Sequence, residues 1–134
     1  MMKQQSGFTL IELIMVIVVL AALAVTAIPR YINLQAQAVT GALNGVAGSL
    51  ASGSAINFAD CTANPASATC LIGAGVMDNC THVAATLVGG ALPSANYNIT
   101  AAALNAGTGS TTTCTLNNTS VTPNQSVTFT AITP

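Results

Sequence analysis

From Phe8 to Ile28 the chain runs for 21 residues with one charged side chain, Glu12, before Pro29 and Arg30 end the apolar stretch. At about 1.5 Å per residue, a helix of that length crosses roughly 30 Å of hydrocarbon. A carboxylate in such a run is unfavourable by roughly 2.5–3.5 kcal/mol near a span centre on insertion scales, which makes Glu12 a candidate functional residue by default. Two plainer readings compete. A removable secretory signal would use Lys3 as its basic start and Val25-Thr26-Ala27 as a small-residue cleavage region. A simple membrane anchor would ask nothing of Glu12. Glu12 falls inside what would be the apolar core of a signal, and the uncharged run Leu13 to Ile28 is long for that core.

The stretch Ser6-Gly7-Phe8-Thr9-Leu10-Ile11-Glu12-Leu13-Ile14, after a short leader ending in Gly7, resembles the prepilin signature of type IV pilins and of the pseudopilins of type II secretion. The resemblance implies a leader over residues 1–7, cleavage between Gly7 and Phe8 by an inner-membrane prepilin peptidase, and methylation of the new amino terminus on Phe8. It also implies a type IV pilin-like fold. Residues Ala24 to Gln35, with Ile28-Pro29-Arg30-Tyr31 at their centre, are similar to pilins of the mannose-sensitive haemagglutinin type. Ala21 stands where many members carry a glycine midway along the span, which weakens the implication of local unwinding on assembly. Beyond about residue 58 the resemblance ends.

Elementary electrostatics assigns Glu12 a role independently. After cleavage the Phe8 amine lies one helical turn before Glu12, where the positive end of a helix also favours a carboxylate. A lone subunit in lipid is expected to leave both charges poorly compensated. Placing Glu12 of one subunit beside the Phe8 amine of a neighbour would offset both, so assembly relieves an electrostatic penalty. A Glu merely tolerated near the interface is the plain alternative.

Only Lys3, Glu12, Arg30, Asp60 and Asp78 carry formal charge. Removal of the leader deletes Lys3 and leaves one basic and three acidic side chains, a net charge of −2. So weak a field does little to keep copies apart, which suits a homopolymer. It also argues against nucleic-acid binding, which needs Lys and Arg against phosphates.

Pro29 removes a helical hydrogen bond and is expected to kink the helix. Beyond it Ala36, Val39, Leu43, Val46 and Leu50 recur every three or four residues and form one apolar face. We therefore expect one long, bent helix over residues 8–57, with a membrane or filament-core span over 8–28 and an amphipathic half over 29–57. Gly41, Gly45 and Gly48 each lower helix propensity by about 1 kcal/mol relative to Ala. Close backbone approach to a sheet or another helix would explain them; simple tolerance of small residues in a filament core would do so equally.

Residues 58–134 are expected to form a small globular head. Asp60 to Cys70 reads as a polar loop containing Pro65. Asp78-Asn79-Cys80-Thr81 offers N-caps for a short helix over His82 to Val88, stopped by Gly89-Gly90. Strands are expected over Tyr97 to Leu104, Thr111 to Leu116 and Ser126 to Ile132, the first turn being Gly107-Thr108-Gly109. The fold class is α+β: a long kinked helix packed against a three- to four-stranded antiparallel sheet. A core of this size alone is marginal.

Four cysteines answer that need in an exported, oxidised domain. Of three connectivities we favour Cys61–Cys70, which closes a local loop, and Cys80–Cys114, which ties the short helix to the sheet. A zinc site competes poorly, for there is no Cys-x-x-Cys pair and His82 is the one histidine. No metal and no cofactor is expected, since Asp60 and Asp78 are too few for a calcium site. No nucleophile motif or close carboxylate pair offers catalysis, and His82 is read as a capping or solvent-facing residue, so the chain is not read as an enzyme. The five Asn-x-Ser/Thr triplets, at Asn79, Asn98, Asn117, Asn118 and Asn124, arise readily by chance in so Asn- and Thr-rich a segment.

The resemblance and these residues together point to the major subunit of an extracellular type IV pilus on a Gram-negative cell, serving adhesion or surface motility. Its expected partners are copies of itself, the prepilin peptidase, the inner-membrane assembly machinery and, before assembly, the inner membrane. The alternative is a pseudopilin of a type II secretion system.

Overall fold

The computed structural model describes residues 7–72 and 77–134. Residues 1–6, including Lys3 and most of the expected leader, lie outside the described residues. Helix α1 covers Leu10–Ala63 and is followed by a 3-10 helix over Cys80–Thr86 and three strands: β1 (Tyr97–Ile99), β2 (Thr111–Asn118) and β3 (Gln125–Ile132). The chain divides into two compact units, the first ending at Gln35 and the second spanning Ala36–Pro134.

In the first unit the helix buries nothing. Leu10, Ile11, Leu13, Leu20 and Leu23 are all exposed. This helix is long and apolar enough to cross a membrane, and its most apolar window has no buried residue. Pro29 lies inside α1, where its missing N–H leaves the carbonyl one turn earlier without its usual donor.

In the second unit α1 buries Leu43, Ala47, Leu50, Ser54, Asn57 and Cys61. The intervals alternate between four and three residues, so this is one straight stripe down the helix. The sequence-based face met it at Leu43 and Leu50, with Ala36, Val39 and Val46 half-buried beside it. Its lower half is carried by small or polar residues, which hydropathy does not mark. Ser54 satisfies its hydroxyl by donating to the Ala51 carbonyl (2.9 Å), as burial of a polar group requires.

The helix therefore ends at Ala63 and not near Asn57, and the first residues of the expected Asp60–Cys70 loop are helical. Asn57 and Cys61 hold this last stretch inward, and the Asn64 N–H donates to the Asp60 carbonyl at 2.8 Å before Pro65 stops the helix. Of the glycines singled out above, none approaches the sheet: a Cβ at Gly41, Gly45 or Gly48 would meet open space. The close approach is at Gly53, where a Cβ would collide with the Thr86 hydroxyl and stand 3.0 Å from the Thr86 carbonyl oxygen.

The sheet is antiparallel in the order β1-β2-β3. Cys114 pairs with Phe129 and Leu116 with Val127 between β2 and β3, while Ile99 of β1 pairs with Leu116. Alternation turns Cys114 and Leu116 of β2, with Phe129 and Ala131 of β3, inward. They form one cluster with Leu43, Ala47 and Leu50 of α1 and with Met77, Cys80, Val83, Ile99 and Leu104. Across this seam the Thr40 hydroxyl donates to Gln125 Oε1 at 3.2 Å.

Strand β1 is shorter than the expected Tyr97–Leu104. After Thr100, whose N–H still reaches the Thr115 carbonyl (2.9 Å), the chain leaves β2. Residues 102–104 bond instead to the segment entering the 3-10 helix: Cys80 N–H to the Ala102 carbonyl (2.8 Å), and Leu104 N–H to the Asp78 carbonyl (3.0 Å). Asn79 supports this crossing, its Oδ1 accepting from the Ala102 N–H at 3.2 Å. The same Oδ1 caps the 3-10 helix by accepting from Thr81 N–H (3.1 Å). The expected short helix is thus a 3-10 helix starting two residues earlier, and Gly89 and Gly90 follow with φ of 95° and 69°.

Candidate processing and assembly site

Gly7 and Phe8 precede the first helical residue and have no regular secondary structure. Both are exposed, Phe8 to 84%, and no atom would meet a side chain placed on Gly7. The Gly7–Phe8 bond is therefore an accessible, non-helical bond directly ahead of an apolar helix. A peptidase at a membrane surface needs that arrangement, because a bond within a helix must first be unwound.

Thr9 is the N-cap of α1 and Glu12 sits three residues later. The Thr9 N–H donates to Glu12 Oε2 at 2.9 Å. The Thr9 hydroxyl donates to the same oxygen at 2.7 Å and faces the Glu12 N–H at 3.4 Å. This is a capping box, in which cap residue and third helical residue satisfy each other's backbone donors. The expectation that a lone subunit leaves Glu12 poorly compensated needs correction on this point. Within the single chain the carboxylate already accepts two hydrogen bonds. The signal is present in the sequence, because Thr9-x-x-Glu12 ahead of an apolar run is the capping-box pattern, which the charge of Glu12 alone does not reveal.

The remaining singled-out residues lie elsewhere on the chain. Pro29 is within α1. The structure bonds Cys61 to Cys70 and Cys80 to Cys114, leaving no free cysteine. Asn57, which sequence reasoning did not single out, clamps the first of these loops: its Oδ1 accepts from the Leu71 N–H at 2.9 Å, and its Nδ2 donates to the Leu71 carbonyl at 3.2 Å. His82 Nδ1 and Asp78 Oδ1 are 2.7 Å apart as a half-exposed pair. Among the described residues no group of three or more His, Cys, Asp or Glu side chains is placed to hold a metal ion.

Chemically, then, the amino-terminal segment offers an accessible non-helical bond at Gly7–Phe8, a capped carboxylate and an uncovered apolar helix. Residues 2–28 match the family model described as the prokaryotic N-terminal methylation motif. Searches of curated proteins and of solved structures found no match. The motif supports a type IV pilin-like prepilin, in the class that comprises pilins and pseudopilins. Such a motif implies processing by a prepilin peptidase and assembly into a polymer. With the uncovered apolar helix it fits a membrane-anchored precursor, and with the long helix and three-stranded sheet it fits a structural, non-enzymatic subunit.

Proposed function

We propose that this chain is the major subunit of an extracellular type IV pilus used for adhesion or surface motility, of the mannose-sensitive haemagglutinin type. The observation that carries this reading is the wholly exposed apolar segment of α1 with one carboxylate at its start. That surface has no stable place in water. It needs lipid before assembly and apolar neighbours afterwards.

The proposed sequence of events is insertion into the inner membrane, leader removal between Gly7 and Phe8, methylation of the Phe8 amine, and extraction into a helical bundle of spans. Glu12 fixes register by pairing with the Phe8 amine of a neighbouring subunit, and Pro29 kinks the helix just after the span. The two disulfides of the head and its scarcity of acidic residues favour a pilin over a pseudopilin of type II secretion.

Electron microscopy of filaments sheared from the source cells, with mass spectrometry of their subunit, tests the reading. Surface filaments built from a chain that starts at a methylated Phe8 are expected. A chain confined to the cell envelope, with no surface filament, would overturn the pilus reading in favour of the pseudopilin. Glu12→Leu is expected to be processed and to remain in the membrane without assembling; normal filaments from it would remove Glu12 from the mechanism.

A further inference from the structure

Leader removal leaves the Thr9–Glu12 bonds intact. The cut falls at Gly7–Phe8, whereas the donors to Glu12 Oε2 are the N–H of the Phe8–Thr9 peptide (2.9 Å) and the Thr9 hydroxyl (2.7 Å). Both draw the carboxylate back toward the amino end of its own helix. Glutamate has three rotatable bonds, so without these contacts its head group would range over the helix surface. In apolar surroundings, hydrogen bonds to a charged acceptor are strong and their loss is not made good by water.

We infer that Thr9 is the positioning residue for Glu12: its hydroxyl holds the carboxylate in its own subunit, turned toward the amino end, through insertion and processing and up to assembly. The inference rests on the pilus reading for its consequence, since the amine that Glu12 is to meet in a filament belongs to the amino end of a neighbouring chain. A carboxylate already aimed at that end meets its partner without reorganisation. One swinging free must first be ordered, and it enters the bundle with an unmet acceptor.

Valine keeps the shape of threonine and removes the hydroxyl, while serine keeps the hydroxyl, so the two variants separate shape from hydrogen bonding. Thr9→Val is expected to be cleaved at Gly7–Phe8 as usual but to lower filament yield about tenfold, the range set by one hydrogen bond to a charged group. Thr9→Ser is expected to restore wild-type yield. Wild-type yield from Thr9→Val would overturn the assignment. So would loss of leader cleavage in Thr9→Val, which would place Thr9 in peptidase recognition.

A second measurement needs no filament. Glu12 is the one glutamate in the chain, so carboxyl-labelled glutamate gives a single carbon signal from the full processed chain in detergent micelles. That signal is expected to shift in Thr9→Val and to keep the wild-type position in Thr9→Ser. An unchanged signal in Thr9→Val would overturn the hydrogen bond itself. If the wild-type chain formed no filaments, the pilus reading would fall while this spectroscopic result would still decide the positioning role.

Discussion

Asn57 grips Leu71 by both halves of its side-chain amide, accepting from the Leu71 N–H at 2.9 Å and donating to the Leu71 carbonyl at 3.2 Å. It is 6% exposed while Leu71 is half-buried, so water replaces these bonds only in part. The clamp holds the chain immediately after Cys70 against the end of α1, and with the Cys61–Cys70 disulfide it fixes both sides of the turn. Asn57→Ala is expected to destabilise the head by about 2–3 kcal/mol, the scale of two net hydrogen bonds to a partly buried backbone. Thermal unfolding of the full processed chain in micelles measures this. A loss below about 0.5 kcal/mol would show that the loop is held by its disulfide alone.

Gly53 and Gly48 offer a matched pair of substitutions on one helix. A Cβ on Gly53 would collide with Thr86, which is itself tied down by its hydroxyl donating to the Val83 carbonyl at 2.8 Å. Gly53→Ala is therefore expected to cost about 1–3 kcal/mol through overpacking. Gly48 faces open space, and Gly48→Ala should be neutral or stabilising by up to about 1 kcal/mol through helix propensity. Equal effects at the two positions, read by the same unfolding experiment, would contradict the packing described here. Loss of filaments from a stable Gly48→Ala chain would place that face of α1 at a contact between subunits.

The two disulfides should differ in their contribution. Cys61–Cys70 spans a sequence separation of 9 and Cys80–Cys114 one of 34. Loop-closure entropy assigns about 3 kcal/mol to the first and about 4 to the second. Cys80 and Cys114 also belong to the buried core, so their removal forfeits packing as well. Paired alanine variants compared by denaturant unfolding are expected to rank accordingly. The reverse order would mean that the local loop dominates the stability of the head.

Several features were legible because they depend on residue type and order alone. The apolar run after Phe8 and the isolated Glu12 needed no tertiary information, since hydrocarbon solvation acts on the segment by itself. The apolar residues Leu43 and Leu50 and the strand-forming segments around Thr111 and Ser126 were legible for a similar reason: their periodicity records which face is covered. The capping box of Thr9 and Glu12 is equally legible as a short-range pattern, though not from charge and hydropathy alone.

What lay beyond the sequence is what depends on a partner distant along the chain. Gly41, Gly45, Gly48 and Gly53 are one residue type on one helix, yet only Gly53 has Thr86 against it. Ser54 and Asn57 look like solvent-facing residues until the stripe from Leu43 to Cys61 is traced and their hydrogen bonds to Ala51 and Leu71 are found. The strand beginning at Tyr97 stops at Ile99 because residues 102–104 bond to the segment around Asn79 and not to β2. The sequence by itself determined that a single apolar helix must leave water and that one carboxylate must be accommodated at its start, because those are properties of solvation. Only the tertiary structure decided which small and polar residues lie inside the head, because burial of such groups is tolerated only where a particular neighbour completes their packing or hydrogen bonds.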